Sequence, residues 1–129
     1  KIITASAIMH HAEAIVLEKS GIRIAARRMR DLSISSIFVT DKSGTLRGIV
    51  TIDKVSELIK NNQENLGSIL DENIQAVNPE APIDEIIPLF LHSSYPVAVV
   101  DTDNKLRGII FKSTVLAGIV GEGKELQNV

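Results

Sequence analysis

Two stretches of this chain, sixty residues apart, are nearly the same stretch. Residues 37–59 read IFVTDKSGTLRGIVTIDKVSELI and residues 97–119 read VAVVDTDNKLRGIIFKSTVLAGI. Aligned without a gap, they agree at Val39/Val99, Asp41/Asp101, Leu46/Leu106, Arg47/Arg107, Gly48/Gly108, Ile49/Ile109, Val55/Val115 and Ile59/Ile119. An internal repeat constrains the fold more than any single motif, because each copy must be a supersecondary unit that buries its apolar face against its twin. The chain has 129 residues, so each half has about sixty, and a unit of that size buries only about 60% of its unfolded surface. The halves are expected to share one core, and the crevice between them is the expected functional surface.

Each copy reads as β-α-β-β-α. IFVTD at 37–41 and Leu46–Thr51 form two short apolar runs around the turn residues Lys42, Ser43 and Gly44, a hairpin signal. The copy runs from Val97–Asp101 through Thr102, Asp103 and Asn104 to Leu106–Phe111, with Asn104 standing where Gly44 provides a left-handed turn position. Helical spacing precedes each hairpin, at Ile24, Ala25, Arg28, Met29 and Leu32 and at Ile83, Ile86, Ile87, Phe90 and Leu91. Pro82 suits a helix start, whereas Pro88 removes a donor and predicts a kink. Helices over 53–60 and 113–120 follow the hairpins. Short strands at Ala14–Leu17 and Ile74–Val77 open the units, led in by Ala5–Met9 and Leu66–Leu70. The division is a first repeat over 1–60 with its lead-in, a polar connector over 61–66 (NNQENL), and a second repeat over 67–129 with a short tail. The fold class is α/β (α+β), with the two sheets packed face to face about a pseudo-two-fold axis.

Composition removes several function classes. A net charge of −2, a pI near 5.9 and 3% aromatic residues leave no basic or stacking surface for DNA or RNA. Without cysteine there is no disulfide, thiol or zinc-thiolate chemistry. No apolar run approaches the eighteen or so residues of a membrane span. His10 and His11 are adjacent and cannot share a helical face for a metal, His92 is isolated, and no serine–histidine–carboxylate set has a supporting motif. Arg23, Arg27, Arg28 and Arg30 read as a solvated face, with an anionic partner as the alternative. A start at Lys1 fits a piece of something larger, and the tail from Gly121 to Val129 mixes charges.

The repeated pattern of hydrophobic-Val-x-Asp, a turn, Leu-x-Gly-Ile-hydrophobic and a helix resembles the CBS domain, and the tandem resembles a Bateman module. Within that family, AIMHHAEAIVLEKSGIRIAARRMRDLSISSIFVTDKSGTLRGIVTIDKV, with GIVTIDKV and GIIFKSTVLAGI, is similar to the C-terminal regulatory region of ATP-binding subunits of glycine betaine, carnitine, choline and proline ABC transporters. The resemblance implies a non-enzymatic, homodimeric regulatory module. It would be attached to a parent ATPase domain and membrane subunits, at the cytoplasmic face of the membrane. A phosphate loop of the type G-x-x-x-x-G-K-[ST] is absent from these 129 residues.

CBS pairs hold adenosine nucleotides between the repeats through Gly-x-x-Thr-x-x-Asp, whose carboxylate grips the ribose. Here Gly48 and Thr51 are followed by Lys54, with Asp53 one place early, and the second copy has Phe111 and Thr114 instead. One residue turns a side chain by about 100° on a helix, so Asp53 also reads as a cap or first-turn carboxylate. The resemblance points instead to cyclic di-AMP, a two-fold symmetric ligand suited to the axis of a homodimer, with an ATP- or AMP-binding pair belonging to a metabolic enzyme as the alternative and no required cofactor. The candidate ligand-binding residues are Tyr95, Ile109, Lys112, Ser35 and Ala14. Tyr95 would stack or hydrogen-bond, Ile109 pack on a base, and Lys112 reach base or phosphate. Ser35 is the counterpart of Tyr95, and Ala14 opens the first strand. The plainer roles are a turn aromatic for Tyr95, core for Ile109 and a solvated cation for Lys112. The remaining alternative is a ligand-free dimerisation or ionic-strength element.

Overall fold

The alternation of side chains along the hairpin strands determines how the molecule is layered. A computed structural model describes residues 2–11, 14–117 and 119. In the first half, β1 (Ile15–Leu17) lies parallel to β2 (Ser36–Thr40), which pairs antiparallel with β3 (Leu46–Thr51). The second half repeats this with β4 (Ala76–Val77), β5 (Val97–Val100) and β6 (Leu106–Ile110). Both hairpins carry a register shift at the same place, between Val39 and Thr40 and between Val99 and Val100. Because successive strand residues face opposite ways, Ile37, Val39 and Val50 enter a core under the helices, as do Val97, Val99 and Ile110. Phe38, Ile49, Ala98 and Ile109 point the other way and meet in a third cluster with Ala14 and Leu46. That third cluster is the expected sheet-to-sheet core, and it joins the halves.

Helix α1 spans Ala5–Ile8, α2 Ile22–Leu32, α3 Ile52–Lys60 and α4 Ile83–Ile86, with a further helix α5 over 112–117. In α2, Ile22, Ala25 and Met29 face the core, and Ile83, Ile86 and Phe90 are their counterparts. The kink predicted at Pro88 appears as a change of helix type: α4 stops after one turn and Ile87–Phe90 continues as a 3-10 helix. A proline has no N–H for the α ladder, and the tighter 3-10 turn accommodates it. The strand expected over Ile74–Val77 is ordered as strand only at Ala76–Val77. The end of the last expected helix at 118 and 120 and the tail from Gly121 lie outside the described residues.

The two lead-in segments cross over. Ala5 is buried in the core of the second half, where its N–H donates to Ala81 O at 2.8 Å. Leu66, in the 3-10 helix Leu66–Ile69, is buried in the core of the first half. The repeat glycines answer to this crossing. A Cβ on Gly48 would stand 2.6 Å from the Asp71 carbonyl oxygen, and one on Gly108 would stand 2.5 Å from Met9 Sδ. Glycine in Leu-Arg-Gly-Ile therefore marks where one half's lead-in passes over the other half's strand.

The hairpin turns also join the halves. Asp41 Oδ1 accepts from the N–H groups of Ser43 and Thr45, and Asp101 Oδ1 accepts from those of Asp103 and Lys105. These bonds, with the Ser43 hydroxyl first among them, hold the Asp41 carboxyl below its ordinary value. Gly44 and Asn104 both take the expected positive φ, 88° and 60°. The Leu46 N–H donates to Asn104 O and the Leu106 N–H to Gly44 O, each at 3.0 Å, so the two turns clasp each other.

Candidate functional site

Between the sheets the pseudo-two-fold axis produces two related clefts, each built where a lead-in meets the other half's hairpin. At the first, His10 exchanges backbone hydrogen bonds with Ile109, at 2.8 and 2.9 Å. At the second, Asp71 does the same with Ile49, both at 2.9 Å. His10 and Asp71 are thus counterparts, as are Ile109 and Ile49, and Ser35 and Tyr95.

The first cleft holds a cavity of about 140 Å³ lined by His10, His11, Ala14, Leu32, Ile34, Ile109 and Phe111. Its walls are apolar apart from the two imidazoles, and the His10 ring is tilted against Phe111 with centroids 5.7 Å apart. That is a surface for a flat heterocycle rather than for a phosphate. Larger surface hollows lie elsewhere. One of about 440 Å³ beside Leu17, Glu18, Lys19, Asp41, Lys42 and Ser43 collects none of the candidate residues.

The second cleft is chemically different. The Tyr95 hydroxyl donates to Asp71 Oδ2 at 2.9 Å, while Asp71 Oδ1 accepts from the Asn73 N–H at 2.9 Å. The Tyr95 N–H donates to Ser93 Oγ at 3.1 Å. A phenol that donates a hydrogen bond to a carboxylate ionises less readily, so Tyr95 is raised above its ordinary value of 10.0, first by that hydrogen bond and then by burial.

The five candidates are distributed, not gathered. Ala14 and Ile109 line the first cavity together, and both are buried. Ser35 is exposed at the entry to β2, beside the cavity residue Ile34. Tyr95 belongs to the second cleft. Lys112 starts α5, exposed, in a separate groove of about 140 Å³ with Ile87, Phe90, Leu91, Val115, Leu116 and Ile119.

At both strand-to-helix junctions a threonine hydroxyl caps the helix that follows. Thr51 is the N-cap of α3, its Oγ1 accepting from the Lys54 N–H at 3.4 Å, with Asp53 in the first turn. Asp53 thus takes the first-turn position. In the second half, Thr114 Oγ1 accepts from the Phe111 N–H at 3.2 Å. His10, His11 and Asp71 reach the clefts only through the lead-in crossing, which no local pattern records, whereas Ile34 reaches the cavity from the entry to β2, one residue before the candidate Ser35. The available signal was the spacing of Met9-His10 and Leu70-Asp71, which precede the two opening strands at matching distances. Among the described residues there is no cluster of metal-ligating side chains, and no helix is long and apolar enough to cross a membrane.

Residues 5–61 and 66–121 each match the CBS domain family. The chain is 37% identical over 121 residues to the glycine betaine/carnitine transport ATP-binding protein GbuA of Listeria monocytogenes, covering 94% of this chain and 30% of that protein. It is 28% identical over 124 residues to the glycine betaine transport ATP-binding protein OpuAA of Bacillus subtilis, covering 96% and 29% respectively. The chain therefore spans less than a third of the length of these relatives. Among solved structures, Staphylococcus aureus OpuCA superimposes with a TM-score of 0.77 at 21% identity, covering 88% of this chain and 97% of that one. CBSX2 in complex with AMP gives 0.78 at 19% identity, covering 93% and 98%. At these identities the structural likeness is one of fold. The gapless sequence repeat, the two matching sheets, the exchanged lead-ins and the family match over both halves agree: this chain belongs to the CBS domain family, as a tandem pair.

Proposed function

We propose that this chain is the regulatory, non-catalytic module of an osmoprotectant transporter's ATP-binding subunit, acting on the cytoplasmic side of the membrane. In this reading a homodimer binds cyclic di-AMP and thereby inhibits uptake. The observation that carries the reading is the 37% identity to GbuA across 94% of this chain. The capping roles of Thr51 and Thr114 support a ligand other than a mononucleotide held by its ribose, since neither junction offers the gripping carboxylate.

Dimerisation is supported by a difference between the halves. Ile87, Leu91 and Leu116 are 37%, 73% and 59% exposed on the outer helical face of the second half. Their counterparts in the first half are Ala26, Arg30 and Ser56. An apolar patch beside Lys112 can meet its own copy across a two-fold axis, and Lys112 would then appear twice near that axis. A symmetric ligand there would bias one arrangement of the dimer, to the extent that it binds that arrangement more tightly.

Isothermal titration of the chain with cyclic di-AMP, with ATP and AMP in parallel, tests the reading. Selective heat at one cyclic di-AMP per two chains is the expected result. The second reading is an AMP- or ATP-binding pair, favoured by the AMP complex of the CBSX2 fold neighbour. Tight mononucleotide binding with no response to cyclic di-AMP would establish that reading instead. No heat and no melting shift with any of the three would leave a ligand-free dimerisation element.

A further inference from the structure

We propose that the connector segment Glu64–Gly67 is a latch for the first half, hinged at Gly21, which stands open here while its twin on the second half is closed. The device belongs to the scaffold and is independent of the ligand the module takes.

The lead-in on the second half is stitched down along its backbone. The Ala5 N–H donates to Ala81 O at 2.8 Å, the Ser6 N–H to Pro79 O at 2.9 Å and the Ile83 N–H to Ile3 O at 2.8 Å, and Thr4 bridges to Pro82. The axis that relates His10 to Asp71 also relates Met9, over Gly108, to Leu70, over Gly48. Carried across that axis, the same stitches would run from the Leu66 N–H to Ser20 O, from the Gly67 N–H to Glu18 O and from the Ile22 N–H to Glu64 O, with Asn65 bridged to Gly21. Among the described residues none of these four is made. The Gly67 N–H is diverted to Asn65 Oδ1 at 2.9 Å. Where the bridge would lie there is a hollow of about 700 Å³ lined by Glu18, Lys19, Gly21, Glu64 and Asn65. The segment is nevertheless alongside: Leu66 is buried in the first core, and a Cβ on Gly67 would stand 3.7 Å from Glu18 Oε1.

The backbone at one residue separates the two arrangements. Pro82 is extended, with φ −73° and ψ 153°, whereas its counterpart Gly21 has φ 88° and ψ 167°. That φ strains any residue but glycine, and glycine adopts the proline-like value as readily. Ahead of Gly21 the chain turns as a 3-10 helix over Glu18–Ser20, where a proline would hold the preceding residue extended. With Gly21 in the Pro82 conformation, the Glu18 and Ser20 carbonyls can meet the connector as those of Pro79 and Ala81 meet the lead-in. Nothing lies within 4 Å of a Cβ built on Gly21, so the hinge has room to turn. Closure fills the hollow and competes with the Asn65 cap. The two arrangements exclude each other, and a molecule seated in the hollow would favour the open one.

Amide hydrogen exchange, resolved by residue in wild type, Gly21→Pro and Asn65→Ala, tests the latch. In wild type the Leu66 and Ile22 amides should be less protected than Ala5 and Ile83 by about tenfold, the size of one net hydrogen bond. Gly21→Pro places the second half's residue at the hinge and should raise Leu66 and Ile22 to the protection of Ala5 and Ile83. Asn65→Ala carries the test if Gly21→Pro does not fold. Freed from the cap, the Gly67 N–H should pass to Glu18 O and keep its protection, with Leu66 gaining. Equal protection of the two lead-ins in wild type, or no gain at Leu66 and Ile22 in folded Gly21→Pro, overturns the latch. So does faster exchange at Gly67 in Asn65→Ala, the result of losing a cap and nothing more.

Discussion

The two halves of this molecule share a backbone plan down to the bulge in each hairpin, yet their clefts offer different chemistry. In the first, His10, Phe111 and Ile34 surround an apolar cavity. In the second, Asp71 and Tyr95 join through a charge-assisted hydrogen bond. The scaffold repeats because it rests on strand alternation and on the glycines at the crossings, which tolerate little change. The cleft residues sit at the ends of elements, where substitution leaves the core intact. A repeated backbone thus gives two clefts related by the pseudo-two-fold axis, and a few end-of-element residues make them chemically unequal.

The largest effect should come from the sheet-to-sheet core. Phe38 and Ala98 are pseudo-equivalent and both buried in it, so one large side chain serves where two would collide. Phe38→Ala should lower the unfolding free energy by about 3–5 kcal/mol in urea titration. The exchange variant Phe38→Ala with Ala98→Phe should recover a substantial part of that loss if the symmetry extends to packing. No recovery would mean that the surroundings of the two positions differ more than their backbones.

Next come the crossing glycines. At Gly48 the obstruction is the Asp71 backbone carbonyl, 2.6 Å from a new Cβ, whereas at Gly108 it is the Met9 side chain. Backbone held by a two-way bridge cannot yield; the Met9 sulfur can swing away, but its Cβ, 2.9 Å from the new atom, moves only with the backbone. Gly48→Ala should cost about 3 kcal/mol and Gly108→Ala about 2 kcal/mol, read from the same titrations. Equal costs would show that the two crossings are equally rigid.

The smallest effect separates the clefts by pH. The Tyr95 phenol has a raised value in the folded chain, so its contribution is complete below about 10, the unfolded value, and is lost as pH rises through the folded value. Melting temperature should therefore fall more steeply in wild type than in Tyr95→Phe above pH 10. The hydrogen bond is partly exposed, so the difference should stay under about 1 kcal/mol. Parallel curves would mean that Tyr95 and Asp71 are not bonded in solution.

The sequence by itself determined the repeat, the β-α-β-β-α order, the turn conformations at Gly44 and Asn104 and the break at Pro88. These depend on local backbone preference and on apolar periodicity, both readable residue by residue. It also showed that neither strand-to-helix junction carries a carboxylate three residues after Thr51 or Phe111, which is a matter of spacing. Only the tertiary structure decided that α1 and Leu66–Ile69 cross to the opposite half. That exchange brings His10 to Ile109 and Asp71 to Ile49. It also parts Tyr95 from the cavity that holds Ala14 and Ile109, and leaves Lys112 in a groove of its own. The apolar pattern of a lead-in is satisfied equally well by packing on its own half or on its twin. The choice between them lies in contacts sixty residues away, which no local pattern records.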